Sequence, residues 1–278
     1  MKNTAMRRRP APTTLGLFGA LLVTGTLYAQ QDAPFDGDSA AELAKKTQNP
    51  IASMVSVPLQ YNVDYGLGPA DAMRQTLNVQ PVIPFLLNDE WNLITRTIIP
   101  LIDAEAPLPL GENKSGVGDV LQSFFFSPKQ ACRGWIVGAG PALLYPTATD
   151  DAIGTEKWGA GPTFVALKQA NGWTYGVLAN HLWSYAGNTD REDVNATFLQ
   201  PFLSKTLKTY TTFGVNTEST YAWEDDQWTV PLNATVSQLL KIIGQPISVQ
   251  LGYRYYAEAP PGGPAWGLRG AVTLLFPN

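Results

Sequence analysis

The chain has little of what disulfide frameworks, metal centres and nucleophilic sites are made from. Its 278 residues include one cysteine, Cys132, and one histidine, His181. A lone cysteine excludes an intramolecular disulfide and a cysteine-based metal cluster. With no histidine near it and a tight turn around it, Cys132 reads as structural rather than nucleophilic. Charged residues make up only 15%, against roughly 25% in a typical soluble domain. The net charge is −4, so nucleic acid is not an expected partner. Past the N-terminus no apolar run approaches the ~18 residues that a membrane-crossing helix requires. Low charge without long apolar runs suits a barrel whose lipid-facing and lumen-facing side chains are interleaved along each strand.

What is present begins with an export signal. Lys2, Arg7, Arg8 and Arg9 form a positive n-region, and Leu15 to Leu27 an apolar h-region of 13 residues, too short for a span. The expectation is a signal peptide over 1–29 with Ala29 as the last residue removed. A polar periplasmic lead-in follows over 30–50, with one short helix that Ser39 could cap, using Glu42 three residues on. Asn49-Pro50 stops that helix.

From residue 51 onward the rhythm is two. In the last stretch Trp266, Leu268, Gly270, Val272, Leu274 and Phe276 share one parity, while Gly267, Arg269, Ala271, Thr273 and Leu275 share the other. Successive strand side chains point to opposite faces, so this is a two-sided strand. Its length is close to the roughly 9–11 residues that a tilted transmembrane strand needs. It is expected to close the sheet by pairing with the first strand, near Ala52 to Asp64. Similar stretches recur to give twelve strands, an even number as in single-chain bacterial barrels. Asn88-Asp89, Asn171-Gly172 and Ile243-Gly244-Gln245 mark short turns. Longer links rich in Gly, Pro, Asp and Glu tend to alternate with them, which matches long outer loops and short periplasmic turns. The fold class is therefore all-β: a closed antiparallel transmembrane barrel over 51–278. Two features resist this reading. Pro58, Pro81, Pro84, Pro100, Pro141, Pro162, Pro201 and Pro231 fall inside strands and must sit at bulges or ends. Strands six and eight alternate poorly.

If the apolar parity faces lipid, the lumen receives Gln60, Asn62, Asp64, Arg74, Asn78, Gln80, Arg96, Asp119, Asn216, Glu218, Gln250, Arg254 and Arg269. These residues make either a polar path, with arginines facing Asp119 and Glu218, or a paired network that fills a narrow barrel. His181 shares its parity with Trp173, Tyr175, Val177, Trp183 and Tyr185, a lipid or interface face, and Ser184 lies on the opposite one. Trp91, Trp135, Trp158, Trp173, Trp223, Trp228 and Trp266 suit interfacial girdles. The acidic outer loops (Asp150, Asp151, Asp190, Glu192, Asp193, Glu224, Asp225, Asp226) read as solvated, with cation bridging to lipopolysaccharide as the alternative. Gly138 and Gly140 are followed by no helix pattern and make no nucleotide loop. No catalytic residue, cofactor or metal site is expected.

Several short runs then carry a family resemblance: Gln80-Pro81-Val82-Ile83-Pro84-Phe85, Trp91-Asn92-Leu93-Ile94-Thr95-Arg96, Gly116-Val117-Gly118-Asp119, Phe125-Phe126-Ser127-Pro128, Trp158-Gly159-Ala160-Gly161-Pro162, Asn180-His181-Leu182-Trp183-Ser184 and Leu199-Gln200-Pro201-Phe202. From about residue 40 to the C-terminus the chain resembles the Gram-negative outer-membrane barrels filed under "meta-pathway of phenol degradation", often labelled "transporter" and mislabelled "neuromedin U". The resemblance implies an outer-membrane barrel, porin-like, that passes small organic solutes, hydrophobic or aromatic. The partners expected are the lipid bilayer and lipopolysaccharide, the solutes, and the barrel-assembly machinery acting on the C-terminal strand. Two other readings stand beside the channel: a lipid-modifying enzyme, and a structural or adhesive barrel without transport.

Overall fold

A computed structural model describes residues 37–106 and 111–277; the expected signal peptide lies outside the described residues. After a helix α1 (Gly37–Thr47) come twelve strands. They are β1 (Val55–Leu67), β2 (Ala72–Val79 continued by Val82–Leu86), β3 (Trp91–Ala104), β4 (Lys114–Val117 continued by Val120–Pro128), β5 (Trp135–Tyr145) and β6 (Lys157–Ala170). Then follow β7 (Trp173–Gly187), β8 (Asn195–Thr206), β9 (Thr211–Thr217 continued by Ser219–Ala222), β10 (Gln227–Ile242), β11 (Gln245–Glu258) and β12 (Trp266–Phe276). Each strand pairs antiparallel with its sequence neighbours, and β12 returns to β1 with Val57 opposite Leu274 and Tyr65 opposite Trp266. The sheet has no edge, which is what lipid demands of a spanning β structure.

The prolines explain the interruptions. Pro81 sits in the break of β2. Pro201 on β8 and Pro231 on β10 flank the break of β9 at Glu218, and Pro231 also marks a register shift against β11. Pro141 and Pro162 face each other across β5 and β6. Neither has an N–H to donate, so one unbonded position serves both.

The outward parity is apolar, as the dyad rhythm predicts: Leu199, Leu203, Phe213, Val215, Leu232, Leu251, Leu268 and Val272 are all exposed. Aromatic residues bracket this band. Trp91, Trp135 and Trp173 open strands at the short-turn end, where Trp135 meets Tyr175 edge-on and Lys205 lies over Trp173. Tyr65 stacks on Trp266, and Trp158, Trp223 and Trp228 join them at the other end. Such paired girdles place the barrel in a bilayer, and its location is the outer membrane.

The segment before β1 is folded into the short-turn mouth. Ala40, Leu43 and Ala44 form one buried stripe of α1 at i, i+3, i+4 spacing. That stripe packs on Ala52, Met54 and Tyr210, and on Leu239 and Leu275, both at inward positions of the wall. The helix begins at Gly37, so Ser39 lies in its first turn. At its C-terminal end Thr47 Oγ1 donates to the Ala44 carbonyl, and Ile51 N–H donates to Asn49 Oδ1, turning the chain. Ile51 then inserts among Val82, Ile94, Phe125, Val165, Leu167 and Leu178 on the inner wall.

Candidate functional site: a lumen narrowed at both ends

Inward positions follow from register. Asp64, Asn62 and Gln60 on β1 face Arg74, Thr76 and Asn78 on β2. Across β12, Asp64 lies opposite Gly267, and Gly267 lies opposite Arg254 of β11. A Cβ at Gly267 would come within 2.5 Å of Asp64 Oδ1. Glycine there lets Asp64 and Arg254 meet over the β12 backbone, with Arg254 Nε 3.7 Å from Asp64 Oδ1. The Arg254 guanidinium also lies 5.4 Å from the Tyr256 ring. Arg74 Nε is buried and makes no hydrogen bond.

Arg269 forms a strut. Its Nε donates to Asn62 Oδ1 at 2.8 Å, while Nη1 and Nη2 donate to the two carboxylate oxygens of Glu218 at 2.8 and 2.7 Å. Glu218 enters the lumen from the break in β9, and Arg254 Nη2 lies 3.9 Å from it. Asn216 accepts from Asn233 beside it. Arg96 on β3 is placed differently. Its Nη2 donates to Gln80 Oε1 at 2.8 Å, and no carboxylate of the described residues lies within ion-pair distance of it. The structure thus brings twelve of the thirteen expected residues to the inner wall.

Asp119 goes elsewhere. It lies in the β4 break and accepts from Ala148 N–H, Thr155 N–H and Thr155 Oγ1 at 3.1, 2.6 and 2.7 Å. It therefore ties down the β5–β6 loop, 146–156, and makes no hydrogen bond or ion pair with an arginine of the described residues. Thr149 bonds to Val117 through backbone and side chain, and Arg191 Nη2 donates to the carbonyls of Asp151 and Gly154. The loop lies on the inner side of β4, since a Cβ on inward-facing Gly118 would approach Ile102 and the Ile153 carbonyl. Ile153 is buried beneath it. The outer mouth is narrowed by this loop as the short-turn mouth is narrowed by α1 and Ile51.

Between these closures lies a cavity of about 430 Å³. One wall is polar: Gln60, Asn78, Gln80, Arg96, Asn216, Glu218, Gln250 and Arg269. Apolar side chains line the rest, Ile98 and Leu121 beside Arg96 and Leu178, Leu182 and Phe198 on β7 and β8, interleaved with Ser123, Asn180 and Gln200. Sequence reasoning assigned apolar side chains to lipid and so missed these. The signal was the poor alternation of β6 and β8. Val165 and Leu167 of β6, and Phe198 and Phe202 of β8, are apolar at inward positions too.

His181 points outward, with Nδ1 2.7 Å from Thr197 Oγ1 and its ring against Trp183. Ser184 donates to Asp193 instead, so the two form no nucleophile–base pair. Among the described residues no cluster of His, Cys, Asp and Glu could hold a metal.

Fold and lumen together define an outer-membrane β-barrel. No protein-family model matches the chain, and no curated protein does. Among solved structures it is similar to an outer membrane channel from Pseudomonas putida F1, with a TM-score of 0.62 and 15% identity over 80% of this chain and 96% of that one. It also aligns with the NanC porin, at a TM-score of 0.48 and 11% identity over 81% of this chain and all of that one. The likeness to the Pseudomonas protein is one of fold.

Proposed function

We propose that this barrel is an outer-membrane channel for small organic solutes with an apolar, often aromatic, body, as the family resemblance implies. The observation that carries the reading is the apolar surface set among the polar side chains of the cavity. Leu178 and Leu182 are already buried, but Ile98, Leu121 and Phe198 are only half-buried, and apolar surface left to channel water forgoes roughly 25 cal/mol per Å² of burial. A solute with an apolar body covers that surface. Selection by fit and hydrogen bonding at the polar wall then needs no covalent step. Lipid and lipopolysaccharide are the partners of the outer surface, and β12, with Phe276 as its last residue, is the strand presented to the assembly machinery.

The test is flux into vesicles loaded with purified protein. The reading expects benzyl alcohol to enter faster than an equally small polyol such as erythritol, relative to protein-free vesicles. Equal acceleration of both, or of neither, counts against it. Turnover of a phospholipid that depends on His181 would instead favour a lipid-modifying enzyme.

A further inference from the structure

The inner wall carries more positive than negative charge, and the surplus is not spread evenly. Arg254 and Arg269 share the two carboxylates Asp64 and Glu218. Both oxygens of Glu218 are taken by Arg269. Arg96 lines the same cavity with one hydrogen bond, to Gln80, although a guanidinium carries five N–H donors. A charge withdrawn from bulk water is costly; Glu218 offsets part of that cost through space, but with both its oxygens bonded to Arg269 it leaves the Arg96 fork without a carboxylate to grip. The same cavity offers apolar surface, Ile98 and Leu121 beside Arg96 and Leu178, Leu182 and Phe198 on β7 and β8 with Asn180 among them. A ligand that satisfies both has a planar anionic head that the guanidinium fork can grip with two hydrogen bonds. Its body is apolar and small enough for about 430 Å³.

We infer that Arg96 is the headgroup site of this lumen, and that the cavity binds small amphipathic carboxylates, with the carboxylate on Arg96 and the hydrocarbon or aromatic ring against the apolar side chains of the same cavity. The inference rests on the channel reading and narrows its solute class from apolar molecules to apolar monoanions. The neighbouring Gln80 positions the guanidinium through its Oε1.

The experiment pairs equilibrium binding with flux, using sodium benzoate and its neutral counterpart benzyl alcohol. Calorimetric titration of the detergent-solubilised full chain is expected to show benzoate binding and a weaker response to benzyl alcohol. Arg96→Gln is expected to lower benzoate affinity about tenfold to a hundredfold, the weight of a charge-assisted hydrogen-bonded contact, and to leave benzyl alcohol within about twofold. Arg96→Lys keeps the charge without the fork and should fall between. Heat-modifiable gel mobility confirms that each variant is folded. Equal binding of the two probes by the wild type overturns the inference, as does unchanged benzoate affinity in folded Arg96→Gln. Benzoate binding through Arg96 without flux of either solute would uphold this site and sink the channel reading. Flux of benzyl alcohol without benzoate preference would do the reverse.

Discussion

The Arg269–Glu218 strut makes a sharp quantitative prediction. Replacing Glu218 by Gln keeps the side-chain shape and one acceptor but removes the charge that two arginines share. Arg269 is 3% exposed and its two bonds to Glu218 are 2.8 and 2.7 Å long, while Arg254 contributes a weaker contact at 3.9 Å. Breaking a buried pair by removing one partner costs about 3–5 kcal/mol, most of it from the stranded charge. The amide oxygen still accepts one hydrogen bond, so the lower end, about 3 kcal/mol, is expected. The assay is urea unfolding in lipid vesicles, followed by tryptophan fluorescence. Removing the stranded charge as well, in Glu218→Gln with Arg269→Met, should recover part of the loss, because an apolar replacement of a buried pair is often neutral. The argument fails if Glu218→Gln costs less than about 0.5 kcal/mol, an exposed pair's worth. It also fails if the double variant loses the sum of the two single losses, which would mean no coupling.

Other perturbations reach the closures and the rim. Leu43→Asp places a carboxylate in the buried stripe of α1 against Leu239 and Leu275; it should unseat the helix and raise single-channel conductance in planar bilayers. Asp119→Ala removes three hydrogen bonds to the 146–156 loop, so amide exchange of that loop should quicken while the β12 amides keep their protection. In the outer loop 188–194, hydrogen bonds from Lys157 and Ser184 hold the Asp193 carboxyl below the usual carboxylate range. A lowered acid favours the fold above its unfolded pKa, and that contribution is lost as pH falls through the lowered folded value; Lys157→Met should flatten this acid limb of the melting profile. Ile243 is 93% exposed with φ +48° in the β10–β11 turn, a backbone region that β-branched residues avoid. Ile243→Asn should stabilise the hairpin by about 1 kcal/mol, measured in the same urea titration.

How far the chain could be read without coordinates follows from which physics repeats and which does not. Closure of β12 on β1 was legible because a one-residue slip would have turned Arg269 into lipid, so parity alone determined the face. The turns were legible because Asn171 and Gly172 carry the positive φ their positions demand. Asp119 was not, because a two-residue rhythm holds only within an unbroken ladder. Gly118 and Asp119 interrupt β4, the inward parity switches from even at Gly116 to odd at Leu121, and a residue inside that switch belongs to neither face. Glu218 lies in a comparable break, yet it reached the lumen as expected, since the register sums on either side of it agree.

The apolar inner wall was hidden for a different reason. Alternation reports the difference between two environments, and where both are apolar the signal vanishes although the strand remains. β6 and β8 therefore looked like weak strands when they are strands with two greasy faces, one toward lipid and one toward the cavity and the plug. The same logic reaches α1. Its stripe of Ala40, Leu43 and Ala44 is too short to hold a helix together in water, so the sequence shows a helix that needs a surface without saying which. The greasy inner surface at Val82, Phe125 and Val165 is what Ile51 finds, and Leu239 and Leu275 are what the stripe finds. Poor alternation in a wall strand and an unpartnered apolar stripe before it are thus two halves of one signal, and a barrel sequence that carries both should be expected to fold its own N-terminal segment into the lumen.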